Sequence, residues 1–236
     1  DRGTIRYGLG AVKGTGEQAV NVILKAREAD GPFKDLFDFC KRCDKRMVNR
    51  RTTEALIKAG AFDGIAPKIA GSDEPDRYQL LASVGVAMEF ADQAERNAMQ
   101  TSLFDIGDVA EEHAPQYLAV KPWDEKEKLM QEKTALGFFF SGHPYNTCKK
   151  ELSRFIRRPL NRLEPAKETT ALAGVVVGVR TQMTRRGKML FVQLDDGTGM
   201  IEVSVFNELF EAERAKVGTD EVLVVEGKVS YDDFSG

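Results

Sequence analysis

The feature that most constrains the fold of this sequence is a change of period near Pro165. Before it, apolar residues recur at helical spacing, as in Ala19, Val22, Ile23 and Ala26, or Phe33, Leu36, Phe37 and Cys40. After it, Leu172 to Met183, Met189 to Leu194, Met200 to Phe206 and Val222 to Ser230 are rich in β-branched and aromatic residues, the composition of strands. Turn-forming stretches at Arg185-Arg186-Gly187-Lys188 and Asp195-Asp196-Gly197-Thr198-Gly199 separate the first three, and a helical stretch from Asn207 to Lys216 precedes the fourth. Helices first and strands afterwards predict an α+β, multidomain chain.

Within the helical part, Val12-Lys13-Gly14-Thr15-Gly16-Glu17-Gln18-Ala19-Val20-Asn21-Val22-Ile23 sets a glycine turn directly before an amphipathic helix. Thr15 and Gln18 have the spacing of a capping box, which predicts a helix start there. Gly14 and Gly16 lack Cβ atoms and let another backbone come close. The free N–H groups of the first turn and the positive end of the helix dipole then favour an anion such as phosphate. Gly14-x-Gly16-x-x-Ala19 also fits a loose dinucleotide-binding fingerprint, but that needs a preceding strand and a parallel sheet. Ile5 to Val12 carries two glycines and no strand run, and no Walker A sequence exists in the chain. A glycine helix start that holds no ligand is the plain alternative for this segment taken alone.

A second helix start is predicted at Asn49, with Lys45, Arg46, Arg50 and Arg51 around its first turn. Between residues 41 and 58, seven basic side chains (Lys41, Arg42, Lys45, Arg46, Arg50, Arg51, Lys58) stand against two acidic ones (Asp44, Glu54), in a chain of net charge −3. Basic charge concentrated on a small helical unit of an acidic protein is the footprint of a polyanion contact and disfavours the dinucleotide reading. A solvated helix face would account for any one of these residues.

These residues resemble a tandem helix-hairpin-helix module, with a glycine hairpin at 12–23 and a degenerate second hairpin near 46–57. From Ile5-Arg6-Tyr7-Gly8-Leu9-Gly10-Ala11-Val12-Lys13 to Leu56-Ile57-Lys58-Ala59-Gly60-Ala61-Phe62-Asp63 the sequence is similar, more specifically, to the alpha subunits of bacterial DNA polymerase III, the C-family replicative polymerases. The resemblance implies that duplex DNA is held by its backbone, with Lys13, Gly14, Thr15, Gly16, Lys45, Arg46, Arg50 and Arg51 as the contacts. Phosphate contacts carry no sequence information, which suits a replicase. The chain is then expected to be a non-catalytic, C-terminal piece of a longer DNA-directed DNA polymerase. Nucleotidyl transfer needs metal-binding aspartates on a palm sheet, and Asp195-Asp196 before Gly-Thr-Gly reads as turn chemistry instead. No cofactor is expected in this piece; magnesium is expected in the parent polymerase. The rival readings are a helix-hairpin-helix DNA repair protein or nuclease subunit, and a scaffold that never touches DNA.

After a loop at 65–75, the residues Tyr78, Leu81, Val84 and Met88 predict a long helix from Asp76 to Met99. Gln100-Thr101-Ser102-Leu103-Phe104 follows, ahead of the acidic Asp105, Asp108, Glu111 and Glu112. As an extended peptide it would insert Leu103 and Phe104 into an apolar pocket while Gln100 fixes orientation; packing of the two apolar residues back on the helix is the plain alternative. The polymerase resemblance puts the binding motif for the ring-shaped sliding clamp, the beta subunit, at this place. Gln100, Ser102, Leu103 and Phe104 match it. Other polymerase III holoenzyme subunits are further expected partners. The expected division is a tandem helix-hairpin-helix and clamp-binding domain at 1–104, a helical connector at 105–165, and a β domain at 166–236.

In the connector, a charged helix from Asp124 to Leu136 precedes Gly137-Phe138-Phe139-Phe140-Ser141-Gly142-His143-Pro144, whose three phenylalanines are expected to be buried and whose histidine is expected to be structural. In the β domain, strand, hairpin, strand, strand, helix, strand is the order of an OB-fold. Arg180, Arg185, Arg186, Lys188 and Phe191 are the candidate contacts to single-stranded DNA, basic groups for the backbone and a ring for stacking. Phe206 and Phe210 are assigned to the core. Over residues 170–236 seven basic residues face eleven acidic ones, so such a site would be local. The OB-fold is expected to be incomplete at its C-terminal end, with an open edge there.

Cys40-x-x-Cys43, with His143 and Cys148, could supply four zinc ligands on paper, but the second pair lies far along the chain. Cys40 is instead expected to face the core and Cys43 to be a surface thiol. No apolar run reaches the roughly 18 residues of a membrane span, no signal peptide pattern opens the chain, and a cytoplasmic protein without membrane contact is expected.

Overall fold

Side-chain caps fix where several helices begin. The computed structural model describes residues 7–104, 115–184 and 187–231. Helix α2 (Leu36–Arg42) starts where Asp35 accepts the Asp38 N–H at 2.8 Å, and α3 (Arg50–Lys58) where Asn49 accepts the Thr52 N–H at 3.0 Å. Asp76 accepts the Gln79 N–H at 2.9 Å at the head of α4 (Arg77–Phe104), and α5 (Glu125–Leu136) opens on a complete capping box between Asp124 and Glu127. Helix α1 (Glu17–Asp30) departs from expectation. Its N-cap is Gly16, no side chain caps it, and Thr15 is turned inward at 7% exposure.

The chain divides into two compact units, residues 1–141 and 142–236. The first is helical, with a core formed by Ile23, Leu36, Phe37, Leu56, Ile57, Leu80 and Val84. The buried stripe of α4 runs through Leu80, Val84 and Ala87, with the expected Leu81 and Met88 packed against it, while Tyr78 stacks on Trp123, centroids 5.3 Å apart and planes at 18°. The helix also continues through Phe104, so the backbone of Gln100–Phe104 is helical rather than extended. Their side chains, and the acidic residues that follow to 114, lie outside the described residues.

Three expectations of burial are reversed in this unit. Cys43 is 6% exposed: it ends α2, its N–H donates to the Phe39 carbonyl, and its side chain joins the core. Phe138 and Phe140 are exposed, because the backbone rather than the rings is turned inward. The Phe140 and Ser141 N–H groups donate to Glu132 Oε2 at 3.0 and 2.8 Å. The Glu132 side chain is fully buried and its Oε1 accepts from Arg77, which also binds Asp63 through two nitrogens at 2.6 and 2.7 Å. Burial pushes the Glu132 carboxyl up, but the Ser141 N–H, Arg77 and the Phe140 N–H outweigh it and leave the group below its ordinary value.

The second unit carries α6 (Tyr145–Leu152), α7 (Asn207–Glu213) and four antiparallel strands: β1 (Thr169–Thr184), β2 (Gly187–Asp195), β3 (Met200–Val205) and β4 (Val222–Lys228). Their spatial order is β3-β2-β1-β4. The first half of β1 pairs with β4 and the second with β2, with a register shift between Val176 and Gly178 that bends the strand. Helices and a curled four-stranded antiparallel sheet form a half-barrel, an incomplete OB-fold whose edges among the described residues are β3 and β4. Leu190, Val192 and Leu194 on β2 face a core shared with Leu160, Leu172, Val176 and Phe210. Phe206 is 56% exposed and not a core residue: it stands just before α7 and its carbonyl accepts the Phe210 N–H. Among the described residues no helix is long and apolar enough to cross a membrane.

Candidate nucleic-acid interface

The glycine turn and the second helix start, 38 residues apart, meet in the first unit: the Thr52 hydroxyl donates to the Gly14 carbonyl at 3.4 Å. Gly14 has φ of +84°, in the left-handed region that suits glycine, and the turn closes with the Thr15 N–H on the Val12 carbonyl at 3.0 Å. Gly16 has an extended backbone and leaves the first-turn N–H groups of α1 without a side-chain cap. The Thr15 hydroxyl is buried without a hydrogen-bond partner, so at this turn it is the backbone that faces outward, not this side chain.

Cations surround the pair of helix starts, but many are already engaged. Lys45 Nζ lies 2.6 Å from Asp92 and 3.2 Å from Glu95, and these hydrogen bonds, that to Asp92 first, raise its pKa. Arg50 pairs with Glu54 at 2.7 Å. Arg42 donates to the Ala26 and Gly31 carbonyls at 2.6 and 2.8 Å and is a structural clasp. Arg46 and Arg51 are exposed and form no ion pair among the described residues. Lys13 is exposed as well; its N–H donates to the Ala135 carbonyl at 2.8 Å, which ties the turn to the end of α5.

In the second unit, Arg180 and Phe191 face each other across β1 and β2 on the side of the sheet away from the core. The Arg180 guanidinium lies 4.0 Å over the Phe191 ring and donates to both oxygens of Glu202, the shortest at 2.8 Å. Gln182 and Gln193 share that face by register and were not anticipated from the sequence; the two-residue alternation of the strands was the signal that would have found them. Lys188 is exposed, with its ammonium 5.3 Å over Phe210, while Arg185 and Arg186 lie outside the described residues. Asp195 and Asp196 accept hydrogen bonds from the Gly197, Thr198 and Gly199 N–H groups, the chemistry of a turn.

Neither cysteine of the Cys-x-x-Cys is a ready thiolate. Burial, with Cys43 and Asp35 nearby, pushes Cys40 up to about 12, and burial pushes Cys43 up to about 11. Among the described residues no three His, Cys, Asp or Glu side chains group as metal ligands would.

Paired helix starts on a glycine turn and a half-barrel with a mixed basic and aromatic outer face define a nucleic-acid-binding class of protein. Residues 1–70 match the helix-hairpin-helix motif and residues 170–235 the OB-fold nucleic acid binding domain. The chain is 46% identical to the DNA polymerase III subunit alpha of Neisseria meningitidis serogroup B over 98% of its length and 19% of that relative. Identity is 43% to the Pseudomonas aeruginosa subunit and 37% to that of Escherichia coli K12, each over 100% of this chain and 21% and 20% of the relative. The chain belongs to the family of bacterial DNA polymerase III alpha subunits and spans about a fifth of the length of these relatives. Structural alignment to RecG bound to a three-way DNA junction covers 92% of this chain and 28% of that one, at 18% identity and a TM-score of 0.29, too loose to bear on the fold.

Proposed function

We propose that this chain is the substrate-holding part of a replicative DNA polymerase, gripping the backbone of duplex DNA with residues 12–16 and 45–51 while nucleotidyl transfer, with its magnesium, takes place elsewhere in the whole protein. The observation that carries the reading is the Thr52 to Gly14 hydrogen bond, which brings two helix starts into one surface beside Lys13, Arg46 and Arg51. Uncapped N–H groups and unpaired cations are what a phosphate backbone needs, and a grip on phosphate alone reads no sequence. Lys45 and Arg50 contribute by exchanging Asp92, Glu95 and Glu54 for phosphate.

Two further roles belong to the same reading. Arg180 and Phe191 bind single-stranded template on the outer face of the sheet, and Lys188, Arg185 and Arg186 are further contacts to its backbone. Gln100, Ser102, Leu103 and Phe104 tether the polymerase to the sliding clamp, so that rebinding to DNA becomes intramolecular; contacts to other holoenzyme subunits and a cytoplasmic location follow from that role. The helical backbone of 100–104 means this segment would present its side chains from a helix end or unwind on docking.

Fluorescence anisotropy with a labelled duplex tests the grip. Affinity should fall steeply with salt, and Lys13→Ala or Arg51→Ala should each lower the slope of log K against log salt by about 0.9. No duplex binding at low salt would defeat the reading, and strand incision would favour the repair or nuclease alternative. Leu103→Ala combined with Phe104→Ala should abolish clamp association and leave duplex binding intact.

A further inference from the structure

A second concentration of positive charge lies in the 142–236 unit, just before β1. Between residues 149 and 162, six basic side chains (Lys149, Lys150, Arg154, Arg157, Arg158, Arg162) stand against Glu151 alone, in a unit whose sheet portion is acidic. The segment is held by apolar pegs. Leu152 and Ile156 pack with Tyr145, Ala173 and Val175, while Leu160 and Leu163 pack with Leu172, Val176 and Leu190. Between the pegs, Arg154, Phe155, Arg157, Arg158 and Arg162 are all exposed, Phe155 at 70%.

The backbone that carries these arginines is tied to α6 at one end and to the turn between β2 and β3 at the other. The Ile156 N–H donates to the Leu152 carbonyl at 2.8 Å, the Leu160 N–H to buried Asp196 Oδ2 at 2.9 Å, and the Asn161 N–H to Thr198 Oγ1 at 3.4 Å. Arg157, Arg158, Asn161 and Arg162 line an open cleft of about 570 Å³. Among the described residues the strip's one ion pair is Arg158 with Glu164, at 3.6 Å and with both side chains more than half exposed; Arg154, Arg157 and Arg162 have no carboxylate partner.

We propose that this strip is a binding site for the sugar-phosphate backbone of single-stranded nucleic acid, with Phe155 as a stacking surface for an unpaired base. Guanidinium groups match phosphate in a two-pronged fork, and an exposed ring beside them distinguishes this surface from one built for an acidic peptide. The proposal rests on the reading of this unit as nucleic-acid binding, but not on the Arg180 and Phe191 face.

The test is anisotropy of the full chain with a labelled oligo-dT across a salt series. Arg157→Gln, Arg158→Gln and Arg162→Gln together should weaken binding at least about tenfold and lower the salt slope by about two. Phe155→Ala should weaken binding about tenfold with the slope unchanged. Wild-type affinity and slope in the triple variant overturn the proposal; if Arg180→Gln with Phe191→Ala then loses binding, the outer-face site stands without it. Should the triple variant lose its circular dichroism signal, each single substitution is read instead, with an expected slope change of about 0.7. Displacement of oligo-dT by polyglutamate at equal charge would assign an acidic peptide and likewise overturn the proposal.

Discussion

Thr15, Cys43 and Phe138 each carry a residue type whose usual place is clear, and each sits elsewhere. Threonine ahead of a helix ordinarily caps it, yet the Thr15 hydroxyl is buried and unpartnered because the α1 helix starts one residue later, on Gly16. Phe138 is 41% exposed because the fully buried Glu132 claims the backbone N–H groups two and three residues further on and turns the rings outward. Neither outcome could be read from the sequence, since both depend on packing that only the fold supplies. The cysteines lead to a measurable consequence. With the thiols held up to about 12 and about 11, Cys40 and Cys43 should resist iodoacetamide at neutral pH in the folded protein and react once denaturant is added, a difference that mass spectrometry of labelled peptides detects.

At the scale of elements the sequence was far more legible. Every strand and most helices lie within a few residues of where period and turn residues put them, because caps such as Asn49 and Asp124 and the turn at Asp195 to Gly199 act locally. The candidate duplex site was legible as a charge cluster but not as a set of free cations. The carboxylates that occupy Lys45 come from α4, 47 and 50 residues away. Close approach between strands was hidden as well. A Cβ on Gly174 would lie 2.9 Å from the Asp195 nitrogen and 3.0 Å from its carbonyl oxygen, so β1 and β2 could not keep their spacing. Gly174→Ala should therefore destabilise this unit by about 1–3 kcal/mol, read as a lower thermal midpoint of the β-sheet signal with α-helical unfolding unchanged.

For the whole molecule, each unit holds a carboxylate below its ordinary range among the described residues. Glu132 does so in the helical unit. In the other, burial raises Asp196, but the Leu160 N–H, the Thr198 hydroxyl, and the Thr198 and Gly199 N–H groups together lower it. A depressed carboxyl contributes stability that is present above its unfolded pKa, about 4, and is lost as pH falls through the folded value. Denaturant midpoints should hold between pH 7 and 5 and drop below about pH 4 in both units; Glu132→Gln should flatten the acid dependence of the helical signal alone. A midpoint for the helical signal that stayed constant to pH 3 would refute the assignment.

The trio of Asp63, Arg77 and Glu132 also limits how sequences of this kind can drift. Losing Arg77 leaves the fully buried Glu132 carboxylate without its cation, at a cost of about 3–5 kcal/mol, whereas losing either carboxylate leaves Arg77 paired with the other, and exchanging all three for apolar residues of similar size is often neutral. Descent by single substitutions should therefore remove a carboxylate before it removes the guanidinium. Relatives that lack Arg77 should lack Glu132 as well.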